Sequence, residues 1–268
     1  MGEIRREEIP PPTEELWRSV GHGIVELSRN RLTADVRDGN NWFVDTNSPL
    51  SPFNVGGMWD YDTRFIDYIT KNRDPYTDLT CFIGGIDPHS QDSNLVLAEL
   101  RKRGVKLFEY SPHMLLKTDS LQSVQPPNSI YRPLQDPDEL ASALRIQSMV
   151  MDYDYEEIVR TMGIPPSSPQ LDTYLLRANG MPVCTTQLVR DLDGRTASVW
   201  NMATLPQYQR KGYATQLLHS VLMQAKDAGI SYVHLMASNE GEPLYRHLGF
   251  SNIRRYGIFE IPGTYGRK

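Results

Sequence analysis

Cysteine, positive charge and long apolar runs are all scarce in this chain of 268 residues. Its two cysteines, Cys81 and Cys184, lie far apart in apolar segments, so we expect buried thiols rather than disulfides or metal ligands. Lys and Arg number 28 against 33 Asp and Glu, and the net charge of -5 argues against a nucleic-acid partner. No apolar run approaches the roughly 20 residues that span a membrane. The charged, proline-rich stretch "MGEIRREEIPPP" is also unlike a signal peptide, so we expect no membrane partner and a cytoplasmic location.

Several familiar catalytic signatures are missing as well. The six histidines are scattered, with neither a His-x-x-x-His nor a paired-carboxylate spacing, so no metal is expected. The sequence contains no Gly-x-Ser-x-Gly turn of a serine hydrolase and no Walker loop. The chemistry must therefore be sought in other patterns.

Turn and linker signals divide the chain into two predicted domains, residues 1–126 and residues 128–268. The stretch 117–130 between them is polar, carries a Pro-Pro pair and lacks periodicity. In the first domain, hydrophobic periodicity predicts helices at "PPPTEELWRSVGHGIVEL", "DTRFIDYITKN" and "SNLVLAELRKRG". Short apolar runs predict strands at "NWFVD", "PFNVGGMW", "LTCFIGG", "VKLFEY" and "HMLLKT".

The second predicted domain opens with Asp136 as an N-cap, followed by Pro137. Two helices come first, and three antiparallel strands follow, joined by Asn179-Gly180 and Asp193-Gly194 turns. A helix from about Gly212 to Asp227, the strand "ISYVHLMA", the helix "EPLYRHLG" and the strand "RRYGIFEI" complete the domain. This order predicts an α+β fold, a sandwich of helices around a mixed sheet.

The stretch "TLPQYQRKGYATQLL", Thr204 to Leu218, places two cations and a glycine where a helix is about to begin. The first N–H groups of a helix have no intrahelical partner, and the helix dipole adds partial positive charge there. Gly212 lets the backbone approach an anion, and Arg210 and Lys211 add formal charge. The stretch therefore predicts a phosphate-binding loop, although an ordinary helix start would also explain these residues.

Two motifs in the second domain resemble those of one family. The spacing Gln209-x-x-Gly212-x-Ala214 is similar to the Q/R-x-x-G-x-G/A pattern of the GNAT superfamily of acyl-CoA N-acyltransferases. The segment "ASNEGEPLYRHLGF", residues 237–250, resembles the family's second CoA motif, an Asn followed by Leu-Tyr and Leu-Gly-Phe. Pro243 replaces the family's usual Ala, in a first helical turn where proline is tolerated. The resemblance covers about residues 128–268.

This resemblance implies the GNAT fold and an N-acetyltransferase that transfers an acetyl group from acetyl-CoA to a primary amine by direct attack. Tyr245 matches the family's general acid, which protonates the leaving thiolate. A backbone N–H near Ala203 would stabilise the oxyanion. The residues implied to bind acetyl-CoA are Met202, Ala203, Thr204, Gln209, Arg210, Lys211, Gly212, Tyr213, Ala214, Thr215 and Asn239.

The sequence defines the general base and the acceptor less well. Many relatives carry a carboxylate on the fourth strand, which "SVWNMAT" lacks, so Asn201 and His234 are the candidates to orient a water or accept a proton. An acidic segment follows the first helix of the second domain and would attract a small cationic amine, although it also suits a plain helix start. Its carboxylates are Asp152, Asp154, Glu156 and Glu157. A protein or peptide acetyltransferase and a non-catalytic acyl-CoA-binding regulator remain as alternatives.

A weak internal repeat links the two predicted domains. Setting Gly104 over Gly249 aligns "SNLVLAELRKRGV" with "SNEGEPLYRHLGF" and places Leu100 on Tyr245. Upstream, Asp60 and Asp62 stand where a phosphate loop would lie, and two carboxylates there would repel phosphates. The first domain is therefore predicted to be a degenerate GNAT-like copy that binds no CoA, with an unrelated α/β cap domain as the alternative.

Overall fold

A computed structural model describes residues 10–86, 91–121, 131–163 and 168–263 of the chain. In this part of the chain, ten strands form one continuous mixed sheet. The predicted boundary between residues 126 and 128 lies outside the described residues, so the division into two domains stays a prediction. The architecture is the predicted α+β fold.

The described part of the first half forms three α-helices and five strands. They are α1 (Thr13–Ser28), β1 (Ala34–Asp38), β2 (Asn41–Asp45), β3 (Val55–Met58), α2 (Thr63–Asn72), β4 (Leu79–Gly84), α3 (Gln91–Lys102) and β5 (Lys106–Lys117). The three predicted helices are confirmed, and the periodic face of α1 is buried. The sequence pattern does not predict β1, which is a largely exposed strand with Val36 as its one large apolar residue.

The prediction of two strands at "VKLFEY" and "HMLLKT" was wrong, because β5 runs unbroken through both. Pro112 lies between the two segments and suggests a break, since proline cannot donate to a ladder. In the sheet, however, the pairing of β5 with β9 (Tyr232–Met236) begins only at His113. The Pro112 carbonyl accepts the Ala237 N–H at 3.0 Å, so the proline ends one ladder without interrupting the strand.

The second half follows the predicted order of elements. They are α4 (Pro137–Met151), α5 (Tyr155–Met162), β6 (Leu171–Ala178), β7 (Met181–Arg190), β8 (Thr196–Thr204), α6 (Tyr213–Asp227), β9, α7 (Glu242–His247) and β10 (Ser251–Ile261). Asp136 caps α4 by accepting the N–H groups of Asp138 and Glu139, as predicted. The turn at Asn179-Gly180 has positive φ at both residues, which explains the choice of Asn and Gly there.

The two halves exchange their last strands. The strand order is β1-β2-β3-β4-β10-β5-β9-β8-β7-β6, so β10 pairs with β4 of the first half and β5 pairs with β9 of the second. In both halves, three antiparallel strands are followed by a helix, a parallel fourth strand, a second helix and the exchanged strand. This similarity of order agrees with an internal repeat, while the origin of the first half as a degenerate copy stays a prediction.

Packing of α6 fixes the position of the predicted phosphate loop. Leu217, Leu218, Val221 and Ala225 lie on one face of α6 and are buried against the strands of the second half. Cys184 belongs to the same core, and both cysteines are fully buried, as expected. Because this face is anchored by burial of apolar side chains, the beginning of α6 is held just beyond the end of β8.

Candidate active site

A gap opens between β8 and β9. Among the described residues, their parallel ladder is limited to Thr196–Ser198 of β8 and Tyr232–His234 of β9. Beyond it, β8 remains paired with β7 and β9 remains paired with β5. The two strands therefore diverge, and the end of β8 presents one edge of backbone groups to the gap.

A β-bulge in β8 lies beside this gap. Ala203 is opposite Thr185 and Trp200 is opposite Gln187, so two residues of β8, Asn201 and Met202, face one residue of β7. Asn201 has a φ of 49°, and its side chain donates to Gln187 Oε1 at 2.7 Å. A bulge of this kind bends the strand and redirects its backbone groups. The bulge thus adds to the divergence of β8 and β9.

The alternation of the strand shows which backbone groups face the gap. Leu205 donates its N–H to the carbonyl of Val183 on β7 at 3.0 Å. Because successive N–H groups of a strand point to opposite edges, Ala203 also faces β7, and Met202 and Thr204 face the gap. Of the three residues predicted on this strand, these two therefore have backbone groups for a ligand in the gap. Ala203, the predicted oxyanion donor, is paired within the sheet.

The loop before α6 has an open helix N-terminus. Gly212 is the N-cap, in a left-handed conformation with a φ of 83°, and no side chain of the described residues caps the helix there. A Cβ at Gly212 would meet nothing within 4 Å, so the site is open to a ligand. Tyr213, Ala214 and Thr215 form the first turn of α6, and their N–H groups are the ones that a helix leaves unbonded.

The other loop residues surround this N-terminus. Gln209 donates through Nε2 to the Thr204 carbonyl at 3.1 Å, which ties the loop to the end of β8. Arg210 and Lys211 are exposed. Lys211 Nζ donates to the Gln207 carbonyl at 2.8 Å. Two exposed cations stand beside helix N–H groups that no side chain of the described residues caps, and these are features that favour an anion.

The corresponding helix of the first half is closed. Helix α2 also connects two parallel strands, but Asp62 is its N-cap and accepts the N–H groups of Arg64 and Phe65 at 2.9 and 3.4 Å. Asp60 forms an ion pair with Arg254 at 2.5 Å. The ladder of β3 and β4 includes every residue of β3, so the strands do not diverge as β8 and β9 do.

Tyr245 lies on α7 and belongs to the apolar core of the second half. Its side chain is 8% exposed and packs edge to face on Phe250, with ring centroids 5.9 Å apart. A Cβ on Gly241, which borders the cavity described below, would lie 3.1 Å from Tyr245 Cε2. Burial raises the pKa of Tyr245 to about 12, and the nearby Cys184 adds to the rise. The phenol is therefore neutral at ordinary pH and holds a proton that it can donate.

Cys184 is unsuited to act as a nucleophile. Burial raises the pKa of its thiol to about 11, although a hydrogen bond with the Thr204 hydroxyl, at 3.1 Å, lowers it in part. Because the thiolate is the reactive form of cysteine, this thiol is inert at neutral pH. An acyl-enzyme on Cys184 is accordingly not expected.

His234 is held in a buried polar chain. Its Nδ1 lies 3.1 Å from His113 Nε2, and its Nε2 lies 3.0 Å from Ser19 Oγ and 3.4 Å from Asp191 Oδ2. Burial, with His234 beside it, lowers the pKa of His113 well below its usual value. Both ring nitrogens of His234 already have partners and its side chain has no exposed surface, so it is poorly placed to take a proton from an amine in the gap.

Three more predicted residues have partners within the fold. Asn239 donates through Nδ2 to Glu109 Oε2 of β5, at 2.8 Å. In the acidic segment, Asp154 caps α5 and Glu157 forms ion pairs with Arg31 and Arg160. The carboxylates of Asp154 and Glu157 therefore stabilise the fold.

A cavity of about 580 Å³ borders the gap, and sequence reasoning did not predict its walls. It is bordered on one side by residues of β8, including Asn201, Met202 and Thr204, and by Gln209 of the loop. On the other side, its walls come from α1, β3 and β4 of the first half and from α4 and α5. A molecule bound in the gap would thus meet a second molecule in this cavity.

Neither a metal cluster nor a membrane span is found among residues 10–86, 91–121, 131–163 and 168–263. No group of three His, Cys, Asp or Glu side chains is placed to hold a metal ion. No helix in the same ranges combines the length and the apolar character needed to cross a membrane.

Comparisons with known proteins agree with this geometry. Residues 169–252 match the family model described as "Acetyltransferase (GNAT) domain". Three solved structures share the fold. A GCN5-related N-acetyltransferase from Kribbella flavida has 16% identity and a TM-score of 0.64, over 93% of this chain and 95% of that one. A conserved protein of unknown function from Staphylococcus epidermidis has 11% identity and a TM-score of 0.61, over 85% and 94% of the two chains, and a GCN5-related N-acetyltransferase from Sphaerobacter thermophilus has 14% identity and a TM-score of 0.57, over 82% and 76%. No curated protein sequence matches the chain. This protein therefore carries an acetyltransferase domain of the GNAT family in its second half.

Proposed function

We propose that this protein is an N-acetyltransferase that transfers the acetyl group of acetyl-CoA directly to a primary amine. The observation that carries the proposal is the open N-terminus of α6 at Gly212, next to the gap between β8 and β9. The open helix N-terminus suits a pyrophosphate, and the free backbone edge of β8 in the gap suits an extended chain of amides. Because the two features are adjacent, they suit the adjacent pyrophosphate and pantetheine parts of one CoA molecule.

The pyrophosphate would lie on the first N–H groups of α6, with Arg210 and Lys211 as its counter-charges. Gly212 allows this approach because it has no side chain in the way. The pantetheine amides would pair with the backbone of β8 at Met202 and Thr204. Binding of this kind resembles the addition of a strand to a free sheet edge.

In the reaction, the amine nitrogen attacks the thioester carbonyl and a C–N bond forms. We place the oxyanion at the N–H of Met202, because Ala203 faces β7. The C–S bond then breaks, and Tyr245 donates its proton to the thiolate. The proton lost by the amine passes to water, since His234 is already engaged. The buried Cys184 thiol supports direct transfer.

An assay of acetyl-CoA turnover against a panel of amines tests this proposal, with the released thiol as the signal. Thiol release that depends on an amine, with equal formation of the N-acetyl product, is the expected result. Acetyl-CoA that binds without turnover for any amine would favour the alternative of an acyl-CoA-binding regulator.

A further inference from the structure

The walls of the 580 Å³ cavity are mostly apolar and aromatic. They combine side chains from both halves of the chain, including Ile24, Phe53, Phe82, Ile158, Met162 and Trp200. An outer cavity of about 860 Å³ shares Pro52, Phe82 and Tyr153 with the inner one. A molecule can therefore reach the inner cavity by a route that does not pass the α6 loop.

Two buried polar atoms, on residues that line this inner cavity, have no hydrogen-bond partner among the described residues. They are Ser28 Oγ, on a residue with no exposed surface, and Gln147 Nε2, on a residue that is 1% exposed. An unpaired buried polar group destabilises the folded chain, so folding alone does not favour this arrangement. Both groups are suited to hydrogen-bond a neutral oxygen of a ligand.

The charged groups that border the two cavities are all negative. Glu240 borders both, and Glu109 and Asp152 border the outer one. No Lys, Arg or His is found among the described residues that line either cavity. The outer cavity therefore favours an ammonium group over a carboxylate or a phosphate.

From these observations we infer that the acceptor is a primary amine with an aromatic or branched apolar body, one neutral hydrogen-bonding group and no anionic group. This inference rests on the proposed function. The body fills the apolar cavity, and its hydroxyl or carbonyl pairs with Ser28 and Gln147. The three carboxylates attract the ammonium form before it loses its proton.

Other occupants fit this cavity less well. A polyamine or an amino sugar would leave much of the apolar wall without contacts and would bury polar groups against it. A long acyl chain would match the wall but would leave Ser28 and Gln147 unpaired. An amino acid would bring its carboxylate toward the three carboxylates of the protein.

The test compares four amines at saturating acetyl-CoA: tyramine, 2-phenylethylamine, phenylalanine and putrescine. We expect kcat/KM to fall in that order, with tyramine at least about 10-fold above 2-phenylethylamine, because the hydroxyl satisfies buried groups. Phenylalanine and putrescine should be poorer still. A best rate with putrescine or phenylalanine would overturn the inference and leave the proposed function intact.

Replacing the two polar groups tests their assigned role. In the double variant Ser28→Ala with Gln147→Met, the preference for tyramine over 2-phenylethylamine should approach 1, while the affinity for acetyl-CoA stays unchanged. The Tm should not fall, because neither side chain has a partner to lose. A lower Tm with equal losses for both amines would show a merely structural role and would reject the inference.

Two controls separate this inference from the proposed function. Calorimetric binding of the four amines to the CoA complex reports their order without any turnover. Binding of tyramine without thiol release would refute the proposed function, and binding in another order would refute the inference. A higher kcat/KM with decanoyl-CoA than with acetyl-CoA would assign the cavity to an acyl chain and would also overturn the inference.

Discussion

Asp62 and Gly212 occupy the same position in the two halves of this protein, each as the N-cap of a helix that connects two parallel strands. The Asp62 carboxylate accepts two N–H groups of α2, whereas Gly212 leaves those of α6 without a side-chain partner. A carboxylate on these groups excludes a second anion by occupancy and by charge. We therefore expect the two helices to differ in their ability to bind a phosphate group.

The first prediction concerns a substitution that gives α6 the aspartate N-cap found on α2. Gly212→Asp should lower the affinity for acetyl-CoA about 100-fold or more, because a carboxylate would take the N–H groups and repel the pyrophosphate. The free energy of unfolding should change little, since a cap gains about 1 kcal/mol and the positive φ costs about as much. Calorimetric titration with acetyl-CoA and thermal unfolding measure the two quantities.

Two alanine variants are the controls for backbone strain. Gly229 lies after the other end of α6, has a φ of 88° and also has open space around it. Gly229→Ala should therefore cost about as much stability as Gly212→Ala, roughly 1–2 kcal/mol, with unchanged affinity for acetyl-CoA. If Gly212→Asp binds acetyl-CoA as well as the wild type does, the loop is not the anion site.

The second prediction concerns the general acid. Tyr245→Phe should lower kcat by roughly 10- to 10⁴-fold, the usual range for acid–base groups, with little change in the affinity for acetyl-CoA. Steady-state kinetics and calorimetry on the same preparation give both numbers. Full activity in this variant would move the acid elsewhere or show that the thiolate leaves unassisted.

Tyr174 supplies a matched control, because it is a buried tyrosine of the same core. Tyr174→Phe should leave kcat within a factor of about 3 of the wild-type value, since loss of a buried hydroxyl that has no chemical role affects stability rather than the reaction.

The pH profile gives a second readout of the role of Tyr245. Because burial raises the pKa of Tyr245 to about 12, the acid form persists as pH rises, and the rate should show no alkaline fall below about pH 10. A falling limb below that pH that persists in Tyr245→Phe would belong to another group and would contradict the role, whereas one that disappears would contradict only the raised pKa.

The sequence predicts the elements of this fold better than their arrangement. Asp136, Pro137 and the Asn179-Gly180 turn act within a few residues, so their effects can be predicted locally. The positions of β5 and β10 depend on pairing between residues more than 100 positions apart, as for His113 with Met236. Local patterns contain no information on such partners, and the strand exchange was therefore not predicted.

The candidate site likewise has one part that the local sequence predicts and another part that it does not. The loop at Gly212 is a local motif, and the structure places it at an open helix N-terminus. The cavity, by contrast, joins Ile24, Phe53 and Trp200 from distant parts of the chain. One contact of the acidic segment is also non-local, because Arg31, a partner of Glu157, lies in the other half.

The third prediction separates two carboxylates of that acidic segment. Asp152 borders the outer cavity, whereas Asp154 caps α5. Asp152→Asn should raise KM for a cationic amine about 2- to 5-fold at low salt and less at high salt, because ions screen an exposed charge. Asn also tolerates the left-handed conformation of Asp152, so the backbone is kept.

Asp154→Asn is the matched variant, since Asn caps a helix as well as Asp does. It should leave KM unchanged at both salt concentrations. Equal effects of the two substitutions, or an equal effect on a neutral acceptor, would show that the charge of Asp152 does not guide the amine.

The fourth prediction follows from the exchanged strands. A fragment of residues 128–268 lacks β5, so β9 keeps β8 but loses its other neighbour and exposes a central edge of the sheet. We expect this fragment to be insoluble or inactive when expressed alone, and to recover activity when residues 1–127 are expressed with it. Size-exclusion chromatography and thiol release measure both outcomes, and a soluble, fully active fragment would contradict the prediction.

The central claim is that one loop of this chain, at Gly212, binds CoA, although two helices occupy equivalent positions. Calorimetric titration of the full chain with acetyl-CoA tests it most directly, because the stoichiometry counts the sites. The account predicts saturation at about one acetyl-CoA per chain and loss of this binding in Gly212→Asp. Saturation at two per chain, or one site that survives Gly212→Asp, would contradict it.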